Sequence, residues 1–527
     1  MEFNLIVLIL CMLVILWFIL HYFAKPTVPI SDRKKRHLWK TSLSTFDKDV
    51  LLFCNICEHL TSQFSFFCEY CSVACDKIEC TKIADQSIRC KQQRDRNNNN
   101  ASSNKHLYLK GNLSDTVCSI CKSEIDGVHD VGIHGTKCIW CFKSFHDSCA
   151  KNDLICDFGQ LQNVIIPPFS VKACRTSNAP KLHLKEITPI PEWKNWEPLI
   201  VIYNEASGSN DHEIATLFRR LLNPIQVISL THRGPTEALE IIKLCPVKCR
   251  LLVCGGDGSV AWCLNTIKEM NLDDKVSVAI CPQGTGNDLS RVLNWGSETY
   301  SCDFETPFTF LDNIISAETV LLDRWQIEMK YDHRVPVIRR LHHDKKLFMY
   351  NYCSIGVDAL VTLNFHKARD SAFYVIKSKI INKLLYFIYG TQQVITQDCD
   401  GLHDHVEVVI DGIKQELPEL QSVIMLNIDS WGAGCKLIDM IKETDKTFAE
   451  GHSIDDGQIE VFGVSSSFHI AQLQVGLTKP LKLGRAKEVQ IRLKKILPIQ
   501  IDGEPHFEIP CQITISKHSQ ARMLRRK

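Results

Sequence analysis

The chain has 527 residues, 45% hydrophobic and 23% charged, and its 61 Lys and Arg against 60 Asp and Glu give a formal charge of +1. That length exceeds a single core and implies three or four structural units, and the balanced charge gives no argument for a polyanionic partner, so charge is read locally and no nucleic-acid partner is expected. A disulfide scaffold is excluded as well: of 25 cysteines, thirteen cluster between Cys54 and Cys156, many as Cys-x-x-Cys pairs with interleaved His, the pattern of zinc in a reducing compartment.

At the amino terminus Leu5–Leu20 is an unbroken apolar run that continues through His21, Tyr22, Phe23 and Ala24. About 20 residues make roughly 30 Å of helix, enough to cross a bilayer. A cleaved signal peptide fits poorly, because Glu2 stands where a basic region belongs and no small-residue cleavage site follows. Lys25 and Arg33, Lys34, Lys35 and Arg36 follow the run, so residues 1–24 are expected as an uncleaved membrane anchor with the bulk of the protein cytosolic. Whether the segment spans or loops back is open.

Next comes a Cys/His-rich region in two halves, 37–90 and 106–156, separated by the polar linker Arg94–Asn104. The second half presents His106, Cys118, Cys121, Cys138, Cys141, His146, Cys149 and Cys156. Eight soft ligands suit two tetrahedral Cys3His zinc sites, which stabilise a unit too small for a real core. The first half repeats the order as His37, Cys54, Cys57, Cys68, Cys71, Cys80 and Cys90, with no internal His; Cys75 or Asp76 takes that place.

A linker, Pro167–Pro191, leads to a change of texture at Trp196. Short apolar runs (Leu199–Tyr203, Ile225–Leu230, Leu251–Cys254, Val276–Cys281) alternate with the helical stretches Glu213–Leu222, Thr236–Leu244 and Ala261–Met270. That alternation predicts a Rossmann-like α/β domain on a parallel sheet over 196–325. From 326 to 520 the pattern turns β-rich, interrupted by one helical segment at Ser378–Tyr389. The fold class expected is therefore multidomain: membrane helix, two small zinc fingers, an α/β domain and a β-rich accessory domain.

Three polar, glycine-containing loops fall at the carboxyl ends of successive predicted strands, where open α/β sheets bind ligands. The first holds Asn204, Ser207 and Gly208; the second Gly255, Gly256, Asp257, Gly258 and Ser259; the third Gly284, Thr285, Gly286, Asn287 and Asp288. Glycines let a backbone approach phosphate closely, and a helix start offers free N–H groups to it. A carboxylate such as Asp257 beside polyphosphate calls for a metal ion. Neither a Walker loop nor the protein-kinase motif set is present.

Gly-Gly-Asp-Gly at 255–258 followed by Pro-x-Gly-Thr-Gly-Asn-Asp-Leu at 282–289 resembles the diacylglycerol kinase catalytic domain and, more distantly, sphingosine, ceramide and NAD kinases. The resemblance continues through Asn351–Ala359, Leu426–Gly434, Asp455–Gly457 and Gln500–Pro505. The cysteine order resembles the phorbol-ester/diacylglycerol-type zinc finger, and the whole arrangement from anchor to carboxyl terminus resembles the epsilon type of diacylglycerol kinase. It implies ATP, magnesium and zinc as cofactors, diacylglycerol in an endoplasmic reticulum or plasma membrane bilayer as substrate, and phosphatidic acid as product, attenuating diacylglycerol signals and feeding phosphatidylinositol resynthesis.

It implies site roles too. The loop at 255–259 binds ATP phosphates with Asp257 acting through magnesium; Thr285, Gly286, Asn287 and Asp288 complete the nucleotide cleft. Asp456 belongs to the magnesium or phosphate network, and Glu504 is the general base with Asp257 as rival. The fingers' sites interleave, His106, Cys138, Cys141 and Cys156 holding one zinc and Cys118, Cys121, His146 and Cys149 the other. Three departures stand out. Ala206 replaces a basic residue of many relatives; of the pattern linked to arachidonoyl preference only Leu417 is retained among Ile410, Lys414, Leu417 and Ser422; and neither finger shows the Pro and Gln-Gly loop signature of lipid capture well. A ceramide or sphingoid-base kinase and an inactive zinc-finger scaffold are the alternatives.

Overall fold

The computed structural model describes residues 37–41, 52–62, 64–91, 105–125, 133–151, 154–175, 182–204, 211–231, 234–298, 306–332, 343–370, 399–442 and 451–527. The anchor at 1–24, Ser207 and Gly208, and the helical segment Ser378–Tyr389 lie outside them. Among the described residues no helix is long and apolar enough to cross a membrane.

The chain divides into two compact units, one reaching Phe169 and including Thr216–Pro224, the other holding Ser170–Ala215 and Ile225–Lys527. The first contains two small antiparallel sheets of three strands each: β1 (Trp39–Thr41), β2 (Phe66–Cys68) and β3 (Ala74–Cys75), then β4 (Tyr108–Lys110), β5 (Thr136–Cys138) and β6 (Ser144–Phe145). Their registers repeat, Trp39 opposite Cys68 as Tyr108 is opposite Cys138, so His37 and His106 each lie two residues before equivalent pairs. Strands of two or three residues bury few side chains, so metal held by the ligand clusters would add to the stability.

The ligands assemble as four groups whose donor atoms lie within 4.8 Å of one another: His37, Cys68, Cys71 and Cys90; His106, Cys138, Cys141 and Cys156; Cys118, Cys121, His146 and Cys149; and Cys54, Cys57 and Cys80. Cys68 and Cys90 sulfurs are 3.7 Å apart and those of Cys138 and Cys156 3.9 Å, near the edge of about 3.8 Å that a tetrahedron with Zn–S bonds of about 2.3 Å requires. In His37 and His146 the Nδ1 atom faces a cysteine at 3.3 Å while Nε2 lies 3.0 Å from the carbonyl of Ile88 or Glu124. A backbone carbonyl taking the Nε2 proton leaves Nδ1 free to ligate, so the donor sets fit zinc. Cys75 is buried near Cys54 but outside the trio, and the Asp76 carboxylate accepts the Ser62 N–H at 3.2 Å. Cys138→Ser is expected to remove one zinc per chain and loosen the second finger, read by metal analysis with hydrogen exchange over 106–156.

The second unit begins with a hairpin of β7 (Val171–Arg175) and β8 (Leu182–Ile187), after which β9 (Leu199–Tyr203), β10 (Val227–Ser229), β11 (Cys249–Gly255) and β12 (Val276–Pro282) form a parallel sheet in the order β10-β9-β11-β12. β9 and most of β11 and β12 are buried and continuously apolar, as strands covered on both faces must be. The parallel order matches the sequence expectation. The sheet does not stop there: β24 (Cys511–Arg525) adds parallel to β12 through Val278 and Met523, and carries β13 (Glu318–Tyr331) and β21 (Glu488–Leu493) antiparallel, with β14 (Lys345–Met349) beside β13 and β16 (Val406–Ile410) and β17 (Ile413–Lys414) beyond β21. The position 325/326 therefore falls inside β13, and one ten-stranded sheet draws on both halves of the unit.

A second, six-stranded antiparallel sheet comprises β20 (Leu481–Ala486), β19 (Ile459–Val464), β18 (Ser422–Leu426), β15 (Tyr352–Gly356), β22 (Leu497–Ile501) and β23 (Glu504–Glu508), in that order. Alternation divides its side chains between two cores. Cys353, Ile355, Met425 and Ile499 pack with Trp325, Ile327, Ile491 and Ile513 of the first sheet. Tyr352, Ile424, Leu426 and Phe462 pack instead with Val357, Leu437, Ile470 and Leu473 of the covering helices.

A buried polar network braces the helix behind the second glycine loop. Arg324, fully buried, donates to Tyr350 Oη (3.0 Å), Ser519 Oγ (2.8 Å) and Asp273 Oδ1 (2.8 Å), and Tyr350 Oη in turn reaches Asn265 Oδ1 at 2.8 Å. A buried guanidinium is tolerable only with this degree of pairing.

Candidate active site

The second glycine loop runs from the end of β11 into helix α1 (Asp257–Glu269), whose first turn leaves N–H groups without intrahelical partners. The third loop runs from the end of β12 into the short helix α2 (Asp288–Val292). Parallel pairing puts Gly255 opposite Pro282, so the loops emerge side by side. They then cross backbone to backbone. A Cβ on Gly284 would stand 2.6 Å from the Gly256 Cα, and one on Gly256 3.0 Å from the Gly284 Cα. Both positions thus require glycine for close approach.

Asn287 shapes the third loop. Its backbone is left-handed (φ 52°), its Oδ1 accepts the Gly284 N–H at 2.9 Å, and its Nδ2 donates to the carbonyls of Gly284 (2.8 Å) and Ser297 (2.9 Å). Asn tolerates that conformation because its side chain bonds locally. Asn204, at the end of β9, donates to Ser259 Oγ at 2.9 Å and so ties the first loop to the second.

The two aspartates act first as connectors. Asp257 accepts the N–H groups of Asp288 (3.0 Å) and Leu289 (3.1 Å), capping α2 from the neighbouring loop. Burial pushes its carboxyl above the ordinary range, opposed by those hydrogen bonds and by the Asn351 side chain beside it. Asp288, buried, accepts from Ser430 Oγ (2.5 Å), Gly434 N (2.9 Å) and Ala433 N (3.2 Å). Burial and the charge of Asp257 raise it to about 6. Asp288 therefore fastens the glycine loops to the Asn427–Gly434 stretch. Asp288→Ala would strand one hydroxyl and two N–H groups, and is expected to cost about 3 kcal/mol, measured by thermal unfolding, with Asp288→Asn losing less.

Glu504 opens β23 and is exposed. Its Oε1 lies 3.0 Å from where a Cβ on Gly258 would stand, so a carboxylate from the accessory half faces the first turn of α1. The turn before it is held by Asp502, which accepts N–H groups from Tyr350 (2.8 Å), Asn351 (2.7 Å) and Tyr352 (3.1 Å). Burial raises Asp502 to about 7 against those bonds. Thr285 and Gly286 lie half-buried in the third loop, Gly286 against the carboxylates of Asp257 and Asp288.

Asp456 is engaged elsewhere. It pairs with Arg485 at 2.5 Å and accepts N–H groups from Ser453 and Gln458, both at 2.8 Å, and none of these partners belongs to a glycine loop. The structure thus brings together Asn204, Gly255–Ser259, Gly284–Asp288 and Glu504. Sequence reasoning passed over Asp502, Ser430 and Asn351 as individual site residues. Each lies inside a motif quoted for the resemblance, yet only a partner distant in sequence reveals its part.

Comparison with known proteins accords with this site. Residues 198–318 match the family described as the diacylglycerol kinase catalytic domain and residues 348–505 the diacylglycerol kinase accessory domain. Diacylglycerol kinase theta of Rattus norvegicus is 37% identical over 326 residues, 60% of this chain and 34% of that protein. Diacylglycerol kinase 1 of Arabidopsis thaliana is 37% identical over 335 residues (62% and 45%), and diacylglycerol kinase 2 of the same plant 34% identical over 446 residues (83% and 59%). The chain spans 34% to 59% of the length of these relatives. The matched stretches contain the second and third glycine loops, the Asp288 fastening and Glu504, and through its catalytic and accessory domains the chain belongs to the diacylglycerol kinase family.

Proposed function

We propose that the protein transfers the γ-phosphate of ATP to the free hydroxyl of 1,2-diacylglycerol, giving phosphatidic acid and so removing a lipid signal and supplying phosphatidylinositol resynthesis. The observation that carries this reading is the convergence of Glu504 on the glycine loop at Gly258. Phosphoryl transfer asks mainly for alignment and charge neutralisation. Backbone N–H groups of Gly255–Ser259 and the start of α1 take the phosphates, and Thr285, Gly286 and Asn287 line the nucleotide side. Glu504 accepts the proton of the lipid hydroxyl as its oxygen bonds to the γ-phosphorus and the bond to the β,γ-bridging oxygen breaks, releasing ADP. Asp257, set at the start of α1 beside Gly286, is the residue that would hold magnesium. Magnesium supplies neutralisation of phosphate charge. Asp456, through Arg485, shapes the turn leading into β19 rather than meeting phosphate.

The bilayer is reached through the apolar segment 1–24, at the endoplasmic reticulum or plasma membrane. The zinc fingers serve as support or protein contact, with Cys75 as fourth ligand beside Cys54, Cys57 and Cys80. An epsilon-type identity rests on the order of anchor, two fingers and catalytic halves, whereas the relatives quoted above are theta and plant enzymes. A lipid panel tests the substrate class. Phosphorylation of diacylglycerol but not of ceramide or a sphingoid base supports the proposal, and the reverse order sinks it. A flat response to the second acyl chain would remove the epsilon-type selectivity.

A further inference from the structure

Helix α3 (Ser467–Gln474) covers the outer core of the second sheet with Ile470 and Leu473, yet its other side is apolar as well. Phe468 is 64% exposed, Val475 60% and Leu477 77%. Phe468 and Val475 are seven residues apart, two helical turns, and so share a face. Leu477 is thrown outward by the helix stop: Gly476 is left-handed (φ 72°) and the Leu477 N–H returns to the Gln472 carbonyl at 2.9 Å. That stop ordinarily folds the following apolar residue back on the helix; here it stands in solvent.

The projection is held in place. His469, buried, accepts the Ser465 N–H on Nδ1 at 3.1 Å, which leaves Nε2–H to donate to the Lys479 carbonyl at 2.9 Å. The turn carrying Leu477 is therefore pinned to the helix. A fixed group of exposed large apolar side chains marks an interaction site.

Charge identifies what it meets. Residues 461–487 contain no Asp or Glu, and Lys479, Lys482 and Lys487 within them are exposed. Apolar side chains rimmed by lysines suit an anionic lipid surface. The patch also adjoins the site. Gln474 donates to the Gly432 carbonyl at 3.0 Å and Cys435 Sγ to the Leu473 carbonyl at 3.3 Å, and the same loop gives Ala433 and Gly434 N–H groups to Asp288.

We propose that Phe468, Val475 and Leu477, with Lys479 and Lys482, dock the catalytic unit on an anionic bilayer and bring its cleft to the membrane surface. The proposal rests on the lipid-kinase reading above. The test uses the full chain reconstituted in phosphatidylcholine vesicles with and without phosphatidylserine, so that every variant is tethered alike. Activity is compared on long-chain diacylglycerol in the vesicles and on monomeric dihexanoylglycerol in water. Phe468→Ser/Leu477→Ser is expected to raise the interfacial KM about tenfold or more and to leave turnover of the monomeric substrate within about twofold. Lys479→Glu/Lys482→Glu is expected to abolish stimulation by phosphatidylserine while keeping activity on phosphatidylcholine vesicles. An unchanged interfacial KM, or equal losses on both substrates, overturns docking. So does a wild-type dimer that the double variant alone dissociates, which would assign the patch to a second copy of the chain. A wild-type protein inactive on both substrates would instead defeat the kinase reading itself.

Discussion

Gly256→Asp is expected to lower phosphate transfer by at least about a thousandfold while the protein stays folded. Two effects add. The new Cβ would sit 3.0 Å from the Gly284 Cα, pressing apart the two loops proposed to take the phosphates. The new carboxylate would stand at the start of α1, where the proposed function places a phosphate. A unit charge about 4 Å from a phosphate oxygen costs on the order of 4 kcal/mol at an effective dielectric of about 20, which is roughly a thousandfold in rate. Gly256→Ala carries only the contact and should fall between. Comparing kcat/KM for ATP across the pair, with circular dichroism as the control for folding, separates charge from bulk. Equal activity of the aspartate variant and wild type would show that phosphate binds elsewhere.

The second large effect is at Glu504. Glu504→Gln is expected to reduce kcat by about a hundred- to ten-thousandfold, the range of a lost general base, with little change in the KM for ATP. Because the side chain is exposed, folding stability should move by less than about 0.5 kcal/mol. Asp257→Asn behaves differently in this account. Each Asp257 oxygen holds an N–H of α2, so an amide there disturbs the third loop and raises the KM for ATP as well. If Asp257 were the base, its variant would show the pure kcat loss and Glu504→Gln would remain active.

The parts legible in sequence were those whose chemistry is local. Cysteine spacing announced the ligand clusters, and the structure gathers His106, Cys138, Cys141 and Cys156 apart from Cys118, Cys121, His146 and Cys149. Alternating apolar runs announced the parallel sheet, and glycines at strand ends announced the two crossing loops. What stayed hidden is held by partners far apart in the chain. Ser430 meets Asp288 across 142 positions, and Asp502 meets the Tyr350 N–H across 152. Arg324 finds Ser519 across 195, and nothing in a basic residue midway along a strand tells that it is fully buried. The sheet shared by both halves was missed for the same reason, since the contribution of β24 depends on a register with β12 that only the folded chain defines. Asp257 was read as facing a metal, whereas its two oxygens also bind the neighbouring helix, a contact that spacing does not encode.

The proposed reaction needs both halves of the unit at once, and a single assay addresses it. The full chain, purified in detergent and given ATP labelled in the γ-phosphate with magnesium and diacylglycerol in mixed micelles, should yield labelled phosphatidic acid, and Glu504→Gln prepared in parallel should yield almost none. Label that never reaches the lipid would exclude this reaction, and label that reaches it equally well with both proteins would exclude Glu504 as its base.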